Sequence, residues 1–173
     1  MLRTQERALR PAMDDSIRDP IHVRHPAEPG AGHRIRVVAA VVVDRGRLLL
    51  TRRPPGGPLG LQWEFPGGKV EEGESPEHAL MREIQEELGV VARPLDVVEV
   101  DSHDYPHGLG VEILFVRCEL DSFDFKPGRG VHEVRWWVPG EIDLEQVLAG
   151  DRDFLRSWIR HVRAASAGPP PPA

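Results

Sequence analysis

GGKVEEGESPEHALMREIQEELGV, residues 67–90, joins a glycine turn to a short helix that carries more carboxylate than a stable helix needs. Seven acidic residues (Glu71, Glu72, Glu74, Glu77, Glu83, Glu86, Glu87) face two basic ones (Lys69, Arg82), a net of −5 within a whole-chain charge of −6. Ser75 reads as the N-cap, Pro76 occupies the first helical position where a missing donor costs nothing, and Gly89 supplies the stop. Leu80, Ile84 and Leu88 recur every four residues and Met81 widens the stripe, so one face is expected to pack on a core. Glu83, Glu86 and Glu87 fall together on another face, where each like-charge pair costs about 0.2–0.5 kcal/mol on an exposed helix. A hard divalent cation such as Mg²⁺, which takes oxygen ligands, would offset that repulsion. A solvated acidic face is the other reading, and spacing alone leaves both open.

Written out, the segment is Gly68, five residues, Glu74, seven residues, Arg82-Glu83-Ile84, one residue, Glu86-Glu87, one residue, Gly89-Val90. This resembles the signature of the Nudix hydrolases with every specified position filled. The flanking WEFPGGKVEEGE (63–74) and TRR (51–53) look like the MutT-type branch, which hydrolyses nucleoside triphosphates. The likeness is dense in motifs over residues 36–90, weaker to 163, and absent from the tails. It implies an α/β fold, an α/β/α sandwich around a central mixed sheet. It also implies Mg²⁺-dependent cleavage, with Mn²⁺ as a substitute, of a nucleoside triphosphate to monophosphate and pyrophosphate, oxidised forms such as 8-oxo-dGTP included. Two alternatives stand beside this: a hydrolase of a nucleoside diphosphate linked to another group, of the ADP-ribose type, and a nucleotide-binding module without catalysis.

By the same resemblance Glu83, Glu86 and Glu87 bind the metal, the Gly67 carbonyl adds a ligand, and one glutamate, Glu83 first, takes the proton of the attacking water. Arg82 and Glu74 are expected to form an ion pair that clamps loop to helix and orients Glu83, a direct metal role for Glu74 being the rival. Glu133, just before a Trp-containing strand, matches a further metal-approaching carboxylate and equally reads as a surface residue. Arg53 matches a nucleotide-contacting position, with Arg52 on the opposite face by strand alternation. Glu64, Phe65, Pro66 and Gly67 match the lining of the base pocket. Asp151 matches a side chain that bonds the base edge, and also reads as a helix N-cap. His103, Asp104 and His107 sit in DSHDYPHGLG, expected to be a flexible loop rather than a second metal cluster. That loop is implied to flank the cleft, where Tyr105 can stack on a base.

Length and composition bound the rest. At 173 residues one domain is expected, over 34–163, between a loosely ordered arm (1–33, with a brief helical turn at TQERALRPAM) and a proline-rich tail (164–173). An acidic chain of pI about 5.7 disfavours a nucleic-acid polymer and leaves a small nucleotide as the expected partner, bridged by the cation. Oligomeric state is not legible. No apolar run approaches the roughly 18 residues that span a bilayer, and no secretory signal is visible, so no membrane partner is expected. Cys118, the single cysteine, reads as a buried strand residue in a reducing cytoplasm. IRVVAAVVV (35–43) predicts a central strand buried on both faces, Asp44-Arg45-Gly46 a tight turn into RLLLTRR, and residues 95–102, 111–120 and 131–138 further strands. Helical spacing covers 141–163 after a Pro139-Gly140 breaker. Of Trp136 and Trp137, one is expected in the core and the other partly exposed.

Overall fold

The computed structural model describes residues 34–57 and 59–166, the side chains of 163–166 excepted. The arm with its expected helical turn, Pro58 and the end of the proline-rich tail lie outside the described residues.

The β-branched run forms β1 (Ile35–Val41), which sits inside a four-stranded mixed sheet. Its neighbours are β5 (Gly67–Lys69), antiparallel, and β7 (Gly110–Leu120), parallel, and β7 pairs antiparallel with β6 (Ala92–Asp104). A second sheet is built on β3 (Arg47–Arg52), which pairs antiparallel with β2 (Val43–Asp44), β4 (Trp63–Glu64) and β8 (Glu133–Trp137). Between β2 and β3 the chain turns through Arg45 and Gly46, both with positive φ (50° and 72°), the geometry that matches the twist of a two-residue hairpin.

Strand alternation divides the interior into two cores. Val38, Ala40 and Val42 face one side with Ala79, Leu80, Ile84 and Leu88 of helix α1 (Pro76–Leu88), whereas Ala39 and Val41 face the other with Phe154, Leu155 and Trp158 of helix α2 (Arg152–Ser166). A helix therefore covers each face of β1, giving the expected α/β/α sandwich. The caps of α1 are as the sequence reads: the Ser75 hydroxyl accepts from the His78 N–H, and Gly89 closes the helix in the left-handed region. Beyond it, the Lys126 and Gly128 N–H groups bond the Leu88 and Glu87 carbonyls at 2.8 and 2.9 Å, satisfying acceptors a helix end leaves open.

Four expectations are corrected. Met81 is 40% exposed and Ala79 is buried in its stead: the core meets the helix on the Ala79 side of Leu80, so the apolar face is bounded differently from what the four-residue period suggests. His103 and Asp104 belong to β6, paired with Val111 and Gly110, and the loop shrinks to a turn closed by Tyr105 N–H to Leu109 O and Gly108 N–H to Tyr105 O. The stretch from 141 is not one helix: three 3₁₀ turns (Pro139–Glu141, Leu144–Gln146, Ala149–Asp151) precede α2, and Asp143 and a strand-like bridge from Val147 to Trp63 hold the chain out of α geometry. Trp136 and Trp137 are both half-buried, each packed against a different core, since alternation on a strand between two cores gives both faces apolar company. Cys118 is buried as expected. Among the described residues no helix is long and apolar enough to cross a membrane.

Candidate functional site

The site is organised around the strap of residues 64–67, which carries the chain from the second sheet at β4 to the first at β5. Three side chains from three elements grip it. Arg53, one residue beyond β3, places Nη1 3.1 and 2.9 Å from the two carboxylate oxygens of Glu64. Asp151, at the end of the turn before α2, accepts the Phe65 N–H at 3.0 Å. Glu87 of α1 accepts the Gly67 N–H at 3.0 Å, and the Pro66 carbonyl accepts from Ala40 on β1.

Space constrains the glycines at 67 and 68 in different ways. Gly67 has φ 149° and a Cβ there would fall 2.1 Å from the Val38 carbonyl oxygen, so only glycine lets β5 lie this close to β1. At Gly68 a Cβ would meet the Glu83 carboxyl group at 2.4 Å. The missing side chain is the cradle in which Glu83 rests.

Arg82 ties this corner together. Its Nε and Nη2 form a fork on Glu74 (3.0 and 2.9 Å), Nη2 also reaches the Lys69 carbonyl at 2.9 Å, and Nη1 donates to Glu83 Oε1 at 2.8 Å. The ion pair expected between Arg82 and Glu74 is therefore present, and the same guanidinium orients Glu83. These bonds hold the Glu74 carboxyl below its ordinary range and raise Arg82 further. Glu86, on the same helix face, is exposed and 3.9 Å from Arg82.

Charge is stored unevenly across the cleft. Burial pushes the Glu87 carboxyl up to about 8, with repulsion from Glu64 and Glu83 outweighing the help of the Gly67 N–H and Arg53. Glu64 is raised by burial despite Arg53. Asp151 is pushed up to about 7 by burial and by Glu64, against the Phe65 N–H. Tyr105 is raised by burial and by Asp151, and its hydroxyl lies against the Gly150 backbone.

A buried carboxyl raised by its acidic neighbours is what a divalent cation complements, and an all-oxygen set of Glu83, Glu86, Glu87 and the Gly67 backbone suits a hard ion. Among the described residues no three His, Cys, Asp or Glu side chains gather around one point. A cation here would draw the rest of an octahedral shell from water and substrate phosphates, as Mg²⁺ commonly does. Glu133 is brought to Arg52 (3.5 Å) and Arg135 on the second sheet, while Arg52 also stacks over Trp63. Arg52 and Arg53 thus have separate partners.

Two features escape a reading of the sequence. The role of Gly68 as a cradle was signalled only by the glycine doublet. The bond from Asp151 to Phe65 spans 86 residues and has no local signal at all.

With this sandwich and this strap, the chain belongs to the NUDIX domain family, whose model matches residues 32–158. Within it the likeness is of the MutT type. The chain is 38% identical over 74 residues to an 8-oxo-dGTP diphosphatase of Proteus vulgaris (42% of this chain, 66% of that protein) and 50% identical over 58 residues to a CTP pyrophosphohydrolase of Escherichia coli (34% and 43%). A longer match, 31% identical over 151 residues, is to an RNA pyrophosphohydrolase of Vibrio atlanticus (76% and 85%). The chain thus spans 66% and 43% of the length of the first two relatives. Among solved structures, the MutT protein of Methanosarcina mazei shares the fold with TM-score 0.66 at 24% identity, covering 79% of this chain and 98% of that one.

Proposed function

We propose that the chain is a divalent-cation-dependent pyrophosphohydrolase of nucleoside triphosphates, oxidised ones such as 8-oxo-dGTP included, releasing a nucleoside monophosphate and pyrophosphate. The observation that carries this reading is Glu87: a carboxyl on a helix face shared with Glu83 and Glu86, turned inward onto the strap and pushed up to about 8 by its surroundings.

Glu83, Glu86, Glu87 and the Gly67 carbonyl would hold Mg²⁺, with Mn²⁺ as a substitute. When bound, the cation supplies charge neutralisation at the phosphoryl oxygens and a more acidic water. Arg82 engages Glu83 Oε1, which leaves Oε2 to accept the proton of the attacking water. Glu74 keeps Arg82 in place for that duty. Arg53 stands at the mouth of the cleft on Glu64, where an incoming phosphate competes for its guanidinium. Phe65, Pro66 and Asp151, all buried, would back the base side, with Tyr105 beside Asp151. The buried, lone Cys118 supports a reducing compartment, the cytoplasm.

A second reading is favoured by two relatives that match over 76% of this chain. They are named RNA pyrophosphohydrolases, so the 5′-triphosphate of an RNA end joins the substrates to be tried.

The test is a panel of dGTP, 8-oxo-dGTP, CTP, ADP-ribose and a 5′-triphosphorylated oligoribonucleotide, with Mg²⁺ and product identification. Pyrophosphate from a triphosphate is the expected product, and two monophosphate-type products from ADP-ribose would shift the assignment to that class. Glu87→Gln should lower turnover at least about 100-fold. Undiminished turnover in that variant would refute the metal assignment, and nucleotide binding without hydrolysis of any of these compounds would favour the non-catalytic module.

A further inference from the structure

We infer that Asp151 is a positioning residue for the metal-facing backbone: by holding the Phe65 N–H it fixes the strap that presents Gly67 to Glu87, and so couples the base side of the cleft to the cation side.

The inference rests on the metal reading above and on a chain of contacts. Asp151 is itself fixed from several directions. Its N–H bonds the Leu148 carbonyl at 2.9 Å, and the Leu148 N–H bonds the Trp63 carbonyl at 2.7 Å. Arg152 Nε donates to the Val147 carbonyl at 2.9 Å, and Val147 bridges Trp63 in parallel. Gly150 packs with no room for a side chain, since a Cβ there would lie 2.8 Å from Ile113 Cδ1 and 3.4 Å from the Tyr105 hydroxyl. The turn before α2 therefore grips β4 at Trp63 through the backbone, where the strap begins, and the strap itself at Phe65 through the Asp151 carboxyl.

From Phe65 the constraint passes on within two residues. Pro66 fixes its own φ and its carbonyl is held by Ala40, and Gly67 is wedged against Val38 with its N–H on Glu87. A strap so short and so fully bonded moves as one piece, and a shift at Phe65 reaches Gly67 with little loss. Phe65 is further locked by edge-to-face contacts with Phe115 and Phe154, at 5.6 and 5.4 Å between ring centroids, so the strap has one seat in the core. A residue that served only to bond a base edge would need none of this. Coupling of this kind is reciprocal: a base engaging Asp151 tightens cation binding, and the cation tightens the base.

The experiment measures Mn²⁺ binding without nucleotide, by calorimetry and by the electron paramagnetic resonance of free Mn²⁺. The parent is compared with Asp151→Ala, which loses the acceptor, and Asp151→Asn, which keeps one. The expected result is a Kd for Mn²⁺ raised about 10-fold in the alanine variant and restored to within about 3-fold of the parent in the asparagine variant. A purely base-contacting Asp151 leaves Mn²⁺ affinity unchanged in both, and that result overturns the inference. A parent that takes up no Mn²⁺ overturns the metal reading instead, which separates the two failures. Should the alanine variant not fold, amide exchange in the parent decides: Mg²⁺ alone must slow exchange at the Phe65 amide, and an unchanged rate there overturns the inference.

Discussion

Neighbouring glycines at 67 and 68 do different work, and substitution separates the two. A methyl group at Gly67 strikes the Val38 backbone at 2.1 Å in a conformation that L side chains rarely adopt, so Gly67→Ala should lower unfolding free energy by about 2 kcal/mol or more. At Gly68 the obstacle is the far end of Glu83, which can move. Gly68→Ala should therefore cost little stability, while displacing Glu83 should lower turnover about 10-fold. Urea melts and initial rates on the pair check this, and equal loss of stability would show that Glu83 is not free to yield. Asp151 gives a pH prediction. Its folded pKa of about 7 lies above the ordinary 3.8, so the folded state keeps a proton that the unfolded state releases, and stability present below pH 4 is lost as pH rises through 7. In a chelator, the melting temperature of the parent relative to Asp151→Asn should fall between pH 4.5 and 8. A constant difference across that range would mean that Asp151 titrates normally.

Helix α1 is the element on which the site is mounted, and its stability has two separable sources. Ser75 caps its start, and Ser75→Ala should cost about 1 kcal/mol. Ile84 is fully buried beneath the carboxylate face, and Ile84→Ala should cost about 2–5 kcal/mol. Chemical denaturation of both variants tests the ranking, and a larger loss at Ser75 would overturn it. This helix was legible from residues 75–89 alone, because caps and a four-residue apolar period are local signals. The misplacement of Met81 shows the limit: periodicity fixes the direction of a face but not its edge. The region from 139 to 151 was less legible still, since its 3₁₀ turns are decided by Trp63 bonding Leu148 and bridging Val147, partners more than 80 residues away.

For the whole molecule, two cores lie on opposite faces of β1, and the one under α1 closes over Cys118, which is 4% exposed and whose thiol burial pushes up to about 12. Reaction with a thiol-specific disulfide reagent should therefore be slow in the folded state and track global unfolding as denaturant is added. Fast labelling of the folded protein would point to an opening of β7 that the packing does not suggest.

The sequence by itself determined the central strand, the capped acidic helix and the spacing of the Nudix box, because each is written in residues that touch neighbours a turn or a strand step away. Tertiary structure decided what the box is joined to. Asp151 on Phe65, Arg53 on Glu64, and Glu133 beside Arg52 and Arg135 depend on register between strands and on a helix arriving from a distant part of the chain. Such meetings are set by the packing of two cores at once, a condition that no local stretch of sequence encodes.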